Sequence, residues 1–567
     1  MGYDIKIIGG DIIDGSGNPR YRGDVGIRDG CVVAMGKAEG ETKMTLDATN
    51  RVVTPGFIDI HTHYDAQIIW DPMLSISPWH GITTVVLGNC GFGIAPTHPK
   101  HRPVILRTLE KVEGMNLDAL ETGLAEWPFE TFPEYMNVIE QRGTLINVGV
   151  LIGHSPTRLY VMGKSSMERQ ATGTEVQEMK NIVSEAISAG ALGLSTSQAT
   201  SHVGFEGRPV PSRLAEISEI RALAETLGEA GGRTLQIIVN QSPWYEEFVK
   251  LAELCRGNLT WTALLTGRPP PNDHRSVLKR FAELVNEGHR LYPQVACRPL
   301  QHDLSFSSPY DFERRLPLFN QVSGTNHRTK MEIYANHEFR NEFRKLMTRG
   351  GSREPEIIFL QQAFEQISVQ ACHHEPTLEQ RRLSEIANER NLHPADLALD
   401  LAIQTDLEIL FLIPLANNDE DQVEEVLKDP NTVLALSDAG AHMNQLCDAC
   451  YSTTLLGHWV REKAALTLEA AVHMLTSRPA QVMGITDRGR LEEGFAADLV
   501  IFDPARVGTV NPERVYDLPG GADRLIVQAL GIDAVIVNGT LVRRHGKYVD
   551  ETKRNLPGRL LRNGKAA

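Results

Sequence analysis

Apolar positions in this chain gather in short, nearly continuous runs, and stretches of helical spacing separate them. The runs are FIDIH (57–61), TTVVLGN (83–89), NVGVLIG (147–153), ALGLST (191–196), TLQIIVN (234–240), LTWTALL (259–265), RLYPQVAC (290–297) and VLALSD (433–438). Each reads as a buried strand followed sooner or later by a helix. One helix is legible in detail. Thr174 to Gln177 fits a capping box, Val176, Met179, Ile182, Val183, Ala186 and Ile187 share one face, and Gly190 stands just past the end. Such alternation predicts an α/β fold with a parallel sheet, and eight units predict a (β/α)8 TIM-type barrel.

The two ends of the chain have another texture. Residues 1–55 alternate apolar and polar positions between D-G and G-S-G turns, and the same pattern returns in 489–504 and 532–546, where N-G marks a hairpin. The expected organisation is a small β-sandwich built from 1–55 and 484–567, flanking a barrel over 56–483. The stretch 303–432 is too long for one loop and is expected to carry extra helices, among them PADLALDLAIQ and DEDQVEEVLKD.

With 567 residues, 41% hydrophobic and 23% charged, the composition is that of an ordinary globular protein. A net charge of -15 disfavours nucleic acid or an anionic membrane as the main partner. The seven cysteines are an odd number, which argues against a disulfide scaffold, and C-D-A-C at 447–450 has no matching Cys or His pair to complete a metal motif. A cytoplasmic protein is expected, with no secretory leader in MGYDIKIIGG and no run long enough to span a bilayer. A homo-oligomer is compatible with these features.

Candidate chemistry clusters at the strand ends. His61 and His63 stand one residue apart as the first strand stops, and alternation projects both to one face, where they can bind one metal ion; a pair of histidines in a surface turn is the alternative. Asp438 closes the eighth run. It can bind a metal and exchange a proton with its water, or serve as a helix N-cap before AGAH. Cys90 in LGNCGFG is either a thiolate ligand or a small buried hydrophobe.

The pieces TPGFIDIHTHYD, GITTVVLGNCGFGIAP, NVGVLIGHSPTR, GALGLSTS, LALSDAGAH, LTLEAAVHMLTSRPAQVMGI and DRGRLEEGFAADLVIFDP, in this order, resemble the metal-dependent amidohydrolase superfamily and within it the D-aminoacylase (N-acyl-D-amino-acid deacylase) family. The resemblance covers nearly the whole chain. It implies hydrolysis of a carbon–nitrogen amide bond by metal-activated water, with His61, His63, Cys90 and Asp438 as metal ligands and Asp438 also as general acid/base. It also departs: the family's histidines at the ends of strands five and six are missing from LQIIVNQ and LTWTALLTG, ALGLSTS lacks the lysine that bridges two metals elsewhere in the superfamily, and SHVGFEGRPVPS leaves the deacylase pattern after strand four. One divalent ion per chain, zinc by default, is therefore expected, with Asn240, His202 or His302 as substitute ligands should a second one bind.

The substrate is expected to be a small molecule, an N-acyl amino acid or related amide. Arg158 and His154 in GHSPTR, and Arg298 in ACRPLQHD, are candidates to bind it, an arginine clamping its carboxylate or else forming a structural salt bridge. A cyclic imide, carbamate, ester or lactone would suit the same chemistry, and a barrel without catalysis, acting as a scaffold, is the reading from another class.

Overall fold

The structure is a computed structural model that describes residues 2–239, 244–268 and 272–566. It divides into two compact units, one of 1–298, 421–443 and 447–567, the other of 299–420 and 444–446.

In the first unit, all eight apolar runs form strands of one parallel sheet: β1 (Phe57–Asp59), β2 (Ile82–Leu87), β3 (Asn147–Gly153), β4 (Gly193–Ser197), β5 (Thr234–Ile238), β6 (Leu259–Thr262), β7 (Leu291–Val295) and β8 (Val433–Leu434). Their spatial order is their chain order. A further parallel bridge joins Thr62, just past β1, to Ala439, just past β8, so the sheet curls round until its edges meet. Strands β2 and β3 are buried at every position, which explains runs that are continuous rather than alternating. The runs at 57–61 and 433–438 outlast their strands. Regular pairing stops at Asp59 and Leu434, and beyond β8 the chain turns left-handed at Leu436 (φ 65°) and Asp438 (φ 45°).

Helices α1 (Arg102–Glu113), α2 (His154–Met162), α3 (Gly173–Ser188) and α4 (Ile217–Glu229) pack in the same unit. The capping box of α3 is built by Thr172 and Glu175 rather than Thr174 and Gln177. Both pairs fit the spacing, but the Glu175 carboxylate returns to the Thr172 backbone N–H and also pairs with Arg169 2.7 Å away. The apolar face is as expected, with Met179, Val183, Ala186 and Ile187 buried.

The termini share one nine-stranded sheet. Five of its strands come from Tyr3–Pro55 and four from Leu499–Tyr548, joined where Val52–Pro55 runs antiparallel to Leu499–Phe502. Its inward residues, among them Ile7, Val25, Val53, Leu499 and Ile536, form a core of their own. The N-G signal at Asn538–Gly539 is a two-residue hairpin turn with both residues at positive φ, as a twist-matched turn requires.

The second unit has a three-stranded antiparallel sheet of Leu300–Leu304, Leu410–Ala416 and Ser368–Ala371 with helices around an aromatic core that includes Phe306, Phe312, Phe319, Tyr334 and Phe343. The expected helices over 303–432 are found at Pro394–Gln404 and Glu420–Lys428.

Candidate metal centre

The centre sits where β1, β2 and β8 end. Beyond Asp59 the chain is pinned by Thr62 N donating to Val86 O (3.3 Å) and His63 N donating to Ala439 O (2.8 Å), so that the two histidines flank a fixed residue. They are 1% and 3% exposed, which removes the surface-turn alternative. Close backbone approach makes this possible: a Cβ on Gly440 (φ 95°) would stand 2.7 Å from His63 O. Gly88 does the same after β2, where a Cβ would lie 2.0 Å from Leu151 O, and the chain then turns to Cys90 with φ at 57°.

Ligand atoms of His61, His63 and Cys90 all lie within 4.8 Å of one another. Cys90 Sγ is 3.3 Å from His61 Nε2, and Asp438 Oδ1 is 3.3 Å from His61 Nε2 and 3.9 Å from His63 Nε2. No helix follows Asp438; Ala441 N closes a turn onto its carbonyl, so it is not an N-cap. The His61 tautomer follows from its other side. Nδ1 donates to Gln294 Oε1 (2.6 Å), whose amide is fixed by donating through Nε2 to Thr260 Oγ1 and by accepting from Thr262 Oγ1. Nε2 therefore presents a lone pair to the point where the Cys90 sulfur and the Asp438 carboxylate also converge. Lone pairs meeting in a buried place are the arrangement a cation satisfies.

The electrostatics agree. Burial, then the neighbouring His61, His442 and His202, push the His63 pKa well below its ordinary value, so it is a neutral donor. Burial, then the charges of Glu113, Asp438 and Asp65, push the Cys90 thiol well up, so without a cation it stays protonated. Beneath the histidines, burial raises Asp59 to about 7 against hydrogen bonds from Ser437 and the His61 backbone.

The other expected site residues are placed differently. Arg158 and His154, both 0% exposed, converge on Glu219: Arg158 Nη1 bonds Glu219 Oε2, and His154 Nε2 lies 2.8 Å from Glu219 Oε1 while its Nδ1 meets Thr196 Oγ1. Arg158 thus makes the structural salt bridge that was the alternative to a substrate clamp. Arg298 is a quarter exposed and holds Asp448 through Nε (2.7 Å) and Thr454 through Nη1 (3.1 Å). Of the substitute ligands, His202 bonds Ser197 Oγ and packs on Phe92, His302 belongs to the second unit and pairs with Asp311 (3.0 Å), and Asn240 lies outside the described residues. In C-D-A-C, both cysteines are free and Cys450 Sγ donates to Cys447 O (3.1 Å).

Sequence reasoning missed Gln294, Gln236, Glu113 and His442. Gln236 Oε1 accepts from Cys90 N (2.8 Å), and Glu113 Oε2 lies 3.5 Å from His63 Nε2 and 4.0 Å from His442 Nε2. The glutamines had one signal, a long amide inside an otherwise apolar strand, which is costly there unless bonded.

The sequence pattern of the amidohydrolase family matches residues 44–543. The chain belongs to the amidohydrolase family. Among its relatives, an N-acyl-D-glutamate deacylase of Alcaligenes xylosoxydans is 28% identical to this amidohydrolase over 99% of this chain and 96% of its own length. The D-aminoacylase of the same organism is 27% identical over 95% and 94%. The crystal structure of N-acyl-D-glutamate deacylase from Bordetella bronchiseptica, complexed with zinc and a phosphonate mimic of the tetrahedral intermediate, matches with a TM-score of 0.66 and 25% identity, covering 99% of this chain and all of that one. No helix among the described residues of this amidohydrolase is long and apolar enough to cross a membrane.

Proposed function

We propose that this amidohydrolase is a metal-dependent enzyme that hydrolyses the amide bond of N-acyl amino acids, the D series first. The observation that carries the proposal is the buried convergence of His61, His63 and Cys90 within 4.8 Å at the carboxyl ends of parallel strands, with Asp438 beside them. His61, His63, Cys90 and Asp438 hold one divalent ion, zinc in the first instance. The bound ion supplies Lewis acidity toward a carbonyl oxygen and a more acidic water. Gln294 keeps the His61 Nε2 lone pair directed at it.

The chain's own part in the reaction is proton handling. Asp438, whose side chain is about a quarter exposed where its neighbours are buried, is open on one side to substrate. Its carboxylate takes a proton from the attacking water and returns it to the leaving nitrogen, so that the amine departs neutral. His63, held neutral, does not compete for that proton.

The same proposal covers the organisation. Residues 56–483 form the (β/α)8 barrel with an insertion within 303–432, and 1–55 with 484–567 form a terminal domain whose sheet folds over its own core as a sandwich. The small-molecule substrate, and seven free cysteines that suit a reducing cytoplasm, complete the reading.

The test is elemental mass spectrometry on protein purified without chelators, with a hydrolysis panel of N-acyl-D- and N-acyl-L-amino acids, cyclic imides and esters. Expected are about one ion per chain, amine release from N-acyl-D-amino acids, and at least about a hundredfold lower kcat in Asp438→Asn once it has been reloaded with metal. A metal-replete protein without bound metal, or an Asp438→Asn variant as active as wild type, overturns it.

A further inference from the structure

Helix α1 ends on Glu113, and Gly114 turns left-handed after it (φ 59°). Two local rules oppose a glutamate here. The carboxyl end of a helix repels negative charge, and burial, which leaves this side chain 6% exposed, takes its carboxylate out of water. What favours it must lie at its tip. There, Oε2 is 3.5 Å from His63 Nε2, and the helix end is tied to the loop beyond Asp438 by His442 N donating to Glu113 O (2.7 Å).

The spacing is informative. Nitrogen and oxygen donors about 2.0–2.2 Å from one ion stand roughly 2.8–3.8 Å apart when neighbours in four- or five-coordinate geometry. The Asp438–His61 separation is 3.3 Å and the Glu113–His63 separation is 3.5 Å, so each carboxylate stands from one histidine nitrogen at a distance that neighbouring ligands of an ion can have.

We propose that Glu113 is a further protein ligand of the divalent metal, an anionic oxygen donor entering beside His63. This rests on the metal-dependent reading above and adds a residue to it. The resulting set mixes imidazole, thiolate and carboxylate, and its total negative charge strengthens the hold on a divalent cation.

The experiment loads wild type, Glu113→Gln and Glu113→Asp with zinc or cobalt(II), after circular dichroism of each metal-free protein has verified the fold. Zinc affinity is read by competition with a chromophoric chelator, and the ligand set by the visible bands of the cobalt form. Glu113→Gln keeps the size and a hydrogen-bond acceptor but loses the anionic donor. It is expected to bind zinc at least about tenfold more weakly, the lower end of what losing even an outer partner costs, with shifted cobalt bands. Glu113→Asp keeps the charge one methylene short, and a smaller loss with shifted bands is expected; should the Gln variant not fold, this variant is read alone. Wild-type affinity and wild-type bands in the folded variants overturn the role of Glu113 while leaving the metal reading intact. A wild-type protein that binds neither ion overturns both.

Discussion

Replacing Arg158 with Met tests whether the buried cluster beneath α2 is structural or a substrate clamp. In the structure Glu219, its side chain 3% exposed, accepts from Arg158 and His154, and Arg158 Nη2 also donates to Arg169 O (3.1 Å). Burial pushes the Glu219 carboxyl up, yet the hydrogen bonds and charges of His154 and Arg158 hold it below its ordinary value. Arg158→Met removes the strong cation and leaves a buried carboxylate facing one neutral-leaning histidine. Breaking one side of such a pair costs about 3–5 kcal/mol, a large part of a typical total of about 5–15. Urea unfolding measures it. In Arg158→Met/Glu219→Leu the orphaned charge is gone, and most of the loss is expected to return. Activity on an N-acyl amino acid should recover with stability. A loss below about 1 kcal/mol in the single variant, or a stable double variant whose KM stays raised tenfold or more, refutes the structural assignment and restores the substrate clamp.

Gln294→Met frees His61 Nδ1 and should weaken zinc binding by about 10–100-fold, read by chelator competition; unchanged affinity would show that the tautomer is set elsewhere. Burial holds His80 down to about 3, against the Val527 carbonyl that favours its charged form, so the unfolded chain binds the extra proton between about pH 6.5 and 3 and stability falls as pH drops through that window. His154, also depressed chiefly by burial, adds to the same fall, and the urea midpoint at pH 5.5 should sit below that at pH 7.5 by the equivalent of about 1–3 kcal/mol, with His80→Gln flattening the slope. Glu175→Ala removes the carboxylate from the cap of α3 and should cost about 1 kcal/mol at neutral pH, whereas Gln177→Ala should cost almost nothing; equal losses would contradict the cap seen here. The Glu175 contribution, from a carboxyl lowered to about 2 chiefly by Arg169 and then by the Thr172 backbone, should fade as pH falls from about 4.5 toward that value.

The eight parallel strands were legible because strands covered on both faces must be apolar throughout, a pattern that survives without knowledge of their partners. His61, His63, Cys90 and Asp438 were legible for a related reason: each is a polar residue placed just where an apolar run ends. Glu113 was not, since it sits at the end of an amphipathic helix where a charged residue is unremarkable until the fold brings it to His63. Arg158 was ambiguous for the opposite reason. Its position after β3 suits a substrate contact, and only the tertiary arrival of Glu219 from α4 shows that the charge is already answered. The cap of α3 was displaced by two residues because Thr172 and Thr174 offer the same spacing, and only the side-chain bonds choose between them.

The antiparallel pairing of Val52–Pro55 with Leu499–Phe502 also fixes an order of events during synthesis. The second partner is made about 440 residues after the first, which at about 5–20 residues per second leaves the early strand waiting for roughly 20–90 seconds. Throughout that interval the amino-terminal strands have hydrogen-bonding edges open on a ribosome-bound chain, and β1, which leads into His61 and His63, begins two residues beyond the open edge. Nascent chains stalled before residue 499 therefore keep that edge exposed, while release of the last segment pairs it and anchors the root of the strand that leads toward His61 and His63.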